Sequence, residues 1–143
     1  MPRSLPLFAG LFVAVSAMGI PAHAEPLSSC AVPPATVARA FPGEVPEAVL
    51  TALDAKVGDI AAPGEPFNST DVVMPGKKMR RVIFVWERGA RWVFATEHGG
   101  IAYFTPVLAF DLGSDGSSAA LVTSKTGSPN TLCATATELI GAS

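Results

Sequence analysis

The chain has 143 residues, 49% of them apolar and 15% charged, with 13 Gly, 13 Pro, two Cys and a formal net charge of −2. That length suits one domain and leaves no room for two, and the apolar fraction excludes an intrinsically disordered chain. No internal repeat is present, which excludes a solenoid.

Met1-Pro2-Arg3 precedes an apolar run from Leu5 to Ile20, and Pro21-Ala22-His23-Ala24 follows it. A charged start, an apolar core and small residues at Ala22 and Ala24 define a secretory signal peptide over residues 1–24, with cleavage expected after Ala24. A retained membrane anchor is the competing reading. The run is shorter than the roughly 20 residues that span a bilayer and contains Pro6, so no transmembrane segment is expected in the mature chain. Leu27-Ser28-Ser29-Cys30 resembles the motif before a lipidated cysteine in bacterial lipoproteins, but Glu25, Pro26 and the Ala-His-Ala site separate it from the apolar run. Removing 24 residues, Arg3 among them, leaves 119, with 9 Lys and Arg against 12 Asp and Glu and a net charge of −3. An exported chain, periplasmic or secreted, meets an oxidising compartment, so a Cys30–Cys133 disulfide is expected, with two separate buried thiols as the alternative.

Residues 25–45 hold Pro26, Pro33, Pro34 and Pro42 and read as an irregular arm with at most one helical turn around Ala35 to Ala40. Residues 46–143 read as a single α+β domain. Pro46 suits a first helical position, Glu47 complements a helix N-terminus, and Val49, Leu53, Val57 and Ile60 recur at helical spacing. This amphipathic helix ends in Gly58 to Gly64. The period then alternates: Arg81 to Glu87, Arg91 to Glu97, Ile101 to Leu112 and Ala119 to Ser124 read as strands joined by short Gly- and Ser-rich connections. Phe67 to Val73 reads as an added edge strand before the Met74-Pro75-Gly76-Lys77 turn. In the tail, Leu132, Ala136, Leu139 and Ile140 fit a helix while Thr131, Thr135 and Thr137 favour a strand, and the strand is the reading taken.

If Glu87 lies opposite Arg91, Trp86 faces Trp92 and Phe84 faces Phe94; a two-residue Gly99-Gly100 turn sets His98 against Ile101. One face then collects Val82, Phe84, Trp86, Trp92, Phe94 and Tyr103 and packs over the helix. One amphipathic helix on an antiparallel meander of four to six strands resembles the cystatin-like architecture in topology; no cystatin motif is present, so the resemblance implies no residue role and no inhibitory activity.

The mature chain keeps a single histidine, His98, and its cysteines are expected to be oxidised. Clustered His/Cys zinc sites and Cys-His catalytic pairs are thereby excluded, and no metal or cofactor is expected. Nucleotide-binding glycine loops, Gly-x-Ser-x-Gly and His-Glu-x-x-His are all missing. The one local constellation suited to catalysis is Glu97-His98-Gly99-Gly100, where a turn exposes an imidazole. Adjacent strand residues point to opposite faces, so a carboxylate from Asp71 or Asp111 is the alternative partner to Glu97. Asp111 and Asp115 beside Gly113 and Gly116 lack the ligand spacing of a calcium loop and read as turn chemistry. Asn68-Ser69-Thr70 matches a glycosylation sequon.

Lys77, Lys78, Arg80, Arg81, Arg88 and Arg91 against Glu87 give residues 77–91 a local charge of +5. Two functions of different class follow. The first is a non-enzymatic binding module of the cell envelope, meeting an anionic or protein partner through Arg81, Arg88, Arg91, Trp86 and Trp92. The alternative is a hydrolase or isomerase using His98 with a carboxylate. The export signal and acidic remainder disfavour nucleic acid.

Overall fold

The computed structural model describes residues 30 to 142; the expected signal peptide over residues 1–24, with its expected cleavage site, and residues 25–29 lie outside the described residues. Helix α1 spans Glu47–Val57. Pro46 precedes it with φ −58°, Glu47 stands in its first turn and Lys56 in its last, each complementing the helix dipole. Gly58 stops it by taking φ +70° while its N–H closes on the Asp54 carbonyl at 2.7 Å.

Five antiparallel strands follow the order β1-β2-β3-β4-β5: β1 Val37–Arg39, β2 Arg80–Arg88, β3 Arg91–His98, β4 Thr105–Leu112 and β5 Ala119–Gly127. The outer edge of β2 is covered in two places. Near Val85–Glu87 it pairs with β1, and near Arg80–Val82 it is bridged by Ala61, whose N–H and C=O bond Arg80 O and Val82 N. The Pro-rich arm therefore supplies a short edge strand where the sequence suggested at most a helical turn.

The α+β architecture is as expected, but both sheet faces are covered. Helix α2, Leu132–Gly141, takes the place of the expected last strand. Its buried residues Leu132, Ala136, Leu139 and Ile140 lie at helical spacing and pack on Ile83, Trp86, Val93, Ala95, Val107 and Ala109. The apolar stripe outweighs the β preference of the threonines, which point outward or sit half-buried. On the opposite face α1 covers Val82, Val85, Trp92, Phe94, Leu108 and Phe110. Phe94 meets Phe41 and Phe110 edge-on at 6.3 and 5.8 Å.

This division corrects the expected pairing. Gly89 and Ala90 form a two-residue turn with Arg88 opposite Arg91, and Gly89 takes φ +61° at the position where such turns need a glycine. Trp92 consequently faces Glu87, and Phe94 faces Val85. A one-residue slip sends alternate side chains to the other face, so Trp86 and Trp92 are buried on opposite sides of the sheet. A bulge between Val82 and Phe84 absorbs one residue and places Ile83 with the α2 cluster.

The expected edge strand at Phe67 to Val73 is irregular loop, and β4 starts at Thr105, not at Ile101. The expected Cys30–Cys133 disulfide is present, with Cα atoms 5.3 Å apart, and ties the start of the arm to the first turn of α2. Among the described residues no helix is long and apolar enough to cross a membrane.

Candidate functional site

The cations of the basic hairpin divide between the two ends of the sheet, and most are engaged within the fold. Arg91 grips Asp111 across β3 and β4 with two nitrogens and donates from Nη1 to the Leu139 and Ala142 carbonyls at 3.0 and 2.6 Å. It thereby closes the C-terminal end of α2, where carbonyls lack helical partners. At the other end Lys78 Nζ bonds Asp59 at 3.1 Å and the Ile60 carbonyl at 3.0 Å, while Arg80 donates to the Val57 carbonyl. These two side chains hold the exit of α1. Among the described residues Lys77 and Arg88 are exposed and form no ion pair. Trp86 and Trp92 offer no surface, since both indoles are buried.

The groups proposed for catalysis do not converge. Asp111 is held by Arg91 at the far end of β3 from His98, and Asp71 is exposed in the loop of residues 66–79. Glu97 is only 5% exposed and both its oxygens are taken: Arg81 Nε donates to Oε1 at 2.6 Å and the Tyr103 hydroxyl to Oε2 at 2.6 Å. Burial, then the Glu97 hydrogen bond and charge, raise the Tyr103 phenol above the usual tyrosine range, partly offset by Arg81. Asp115 spends its carboxylate on the N–H and hydroxyl of Ser117 within its own turn. Among the described residues no group of three or more His, Cys, Asp or Glu is placed to hold a metal ion.

His98 lies against Phe104, ring centroids 4.7 Å apart. Burial, then the Arg80 charge, hold its imidazole below the ordinary 6.5. The unfolded chain accepts a proton that the folded chain resists, so this contribution is complete above pH 6.5 and is lost as pH falls through the lowered folded value. Melting temperature should therefore fall between about pH 7.5 and 5.5 by more in the native protein than in His98→Gln; equal falls would refute the assignment.

What the fold does assemble, at the end of the sheet where β2 begins and β3 ends, is a built apolar tip. Among the described residues nine large hydrophobics are exposed, and five of them (Val72, Val73, Met74, Ile101 and Tyr103) lie on two loops, residues 66–79 and 99–103. Ile101 is 95% exposed, Val73 76% and Val72 66%. Both loops are fastened at their necks. Asn68 is 1% exposed, and its N–H bonds Lys78 O at 2.8 Å. The Asn68 amide donates to Val72 O at 2.5 Å, and its oxygen accepts from the Thr70 N–H and hydroxyl at 3.1 and 2.8 Å. A sequon asparagine so buried and bonded has no room for a glycan in the folded protein.

Gly99 joins the two necks. Its N–H bonds Met79 O at 3.0 Å, and a Cβ there would lie 1.9 Å from the Asn68 carbonyl oxygen. That close approach, and not a two-residue turn, is what the glycine serves: His98 bridges to Phe104, leaving five residues in the loop. Arg81 completes the assembly, donating to the Glu65 carbonyl at 3.0 Å while its guanidinium lies 4.4 Å from the centre of the Phe67 ring.

Sequence reasoning missed this surface because Val72, Val73 and Ile101 are β-branched and read as strand. The detectable signal is Pro75-Gly76 and Gly99-Gly100 beside them, which puts such residues at turns. At the opposite end of the sheet an open groove of about 460 Å³ separates α1 from the β4–β5 turn; Ala48, Ala52, Ala55 and Ala119 are among the residues that line it. Comparison with known protein families, curated proteins and solved structures finds no match for the chain.

Proposed function

We propose that the protein is a non-enzymatic binding module of the cell envelope, exported by its leader and closed by its disulfide, and that it docks through the apolar tip. The observation that carries this reading is the grouping of exposed Val72, Val73, Met74, Ile101 and Tyr103 on two loops held by a buried polar network. Exposing large aliphatic side chains opposes folding into a closed surface, and contiguous exposed apolar residues mark contact sites. Fixing their loops beforehand reduces the ordering entropy that binding must overcome.

Photo-cross-linking tests the reading. Benzoylphenylalanine placed at Val73 or Ile101 should give the same adduct in envelope preparations, and none should form from Asp115, which is exposed at the opposite end. Equal labelling from all three positions, or none from the tip, would sink it.

A further inference from the structure

Resting on that docking reading, we infer that the partner of the tip is a phospholipid bilayer, into which the Val72–Met74 and Ile101 side chains insert. An isoleucine with 95% of its surface exposed protrudes and does not line a cleft. A protruding aliphatic tip suits a partner that deforms around it. Tyr103, half-exposed, fixes the second loop through its hydroxyl on the buried Glu97 carboxylate.

The place of Cys30 bears on the same partner. Gly127, at the end of β5, pairs with Thr105 at the start of β4, and Phe104 bridges to His98, so the end of β5 lies at the loop-bearing end of the sheet. Thr131 lies against Gly127, and α2 begins at the next residue. Cys133 is the second residue of α2, so its disulfide fixes Cys30 near that same end. The apolar run Leu5 to Ile20 is joined to Cys30 through residues 21–29, a reach of at most about 30 Å. While the leader is attached, a tether of that length keeps the loop-bearing end of the domain within reach of the membrane.

Charge contributes little. Lys77, Lys78, Arg80 and Arg81 at this end are matched by Asp59, Glu65, Asp71 and Glu97. Binding should accordingly depend on apolar insertion and not on lipid charge.

The test uses the exported, disulfide-closed protein with vesicles of phosphatidylcholine alone and with about one-third phosphatidylglycerol. Ile101→Trp supplies a reporter, because Trp86 and Trp92 are buried and give a constant background. Expected are flotation with both vesicle types, persistence at about 0.5 M salt where exposed charges are screened, and quenching of the new indole by lipid with brominated acyl chains. Val73→Asp with Ile101→Asp should lower partition roughly tenfold or more, the equivalent of withdrawing about two methylene groups from the bilayer. Absence of flotation while position-specific protein adducts still form at Val73 and Ile101 would overturn the lipid partner and leave the docking reading standing. Loss of both would overturn both. Binding confined to the anionic vesicles and abolished by salt would overturn the insertion mechanism.

Discussion

Replacing both cysteines by serine is expected to lower stability by about 4 to 5 kcal/mol, the chain-entropy value for a loop of this length. The bond joins residues 103 apart, so in the unfolded protein it restricts nearly the whole described chain. A native ensemble stabilised by about 5 to 15 kcal/mol in total would lose a large part of it. Cys30 also packs beside Phe84 against the α2 cluster, so the serine variant should loosen the arm and the first turn of α2 before the meander. Denaturant titration of the oxidised protein and the double-serine variant checks the magnitude, and amide exchange checks the order. A loss below about 1 kcal/mol would mean that the restriction of the unfolded chain is offset in some other way.

The second large effect concerns Arg81. Arg81→Met keeps the volume of the stem but leaves the Glu97 carboxylate with Tyr103 alone, and removes the guanidinium from Phe67 and the Glu65 carbonyl. Breaking a buried pair by deleting one partner costs about 3 to 5 kcal/mol, and the partial exposure of the arginine places the expected loss near the lower figure. The Arg81 side chain is 29% exposed and that of Glu97 7%. Adding Glu97→Gln should recover much of the loss, because the remaining amide requires hydrogen bonds but no countercharge. Urea melts of the single and double variants measure this. If the single variant is as stable as the native protein, the carboxylate is not held by the arginine.

Much of the fold was legible in the sequence because its signals are local. Val49 and Leu53 one helical turn apart, opened by Pro46 and closed by Gly58, specify α1. Alternation marks β2 and β3, and two cysteines leave a single intramolecular pairing. The failures arise where one residue decides a global outcome. Counting Arg88-Gly89-Ala90 as the connection instead of Gly89-Ala90 shifts the register by one and puts Trp86 and Trp92 on one face, where the two-residue turn puts them on opposite faces. The bulge at Ile83 has no local signature. The tail placed β-favouring threonines against a helical apolar stripe, and burial against Val107 and Ala109 decided for the stripe. The polar assembly around Glu97, Arg81, Tyr103 and Asn68 joins segments distant in sequence, so no pattern along the chain reveals it.

The loop of residues 66–79 is anchored only at its neck. Asn68 to Lys78, Asn68 to Val72 and Gly99 to Met79 carry the bonds, whereas Val72, Val73 and Met74 contribute exposed side chains. Scaffold and proposed contact surface are thus encoded in different residues of the same short segment. Variants can exchange Val72, Val73, Met74 and Ile101 without penalty to folding, while Asn68, Gly99, Arg81, Glu97 and Tyr103 have little freedom to drift. Diversification of the tip over an invariant neck is the evolutionary pattern this arrangement permits.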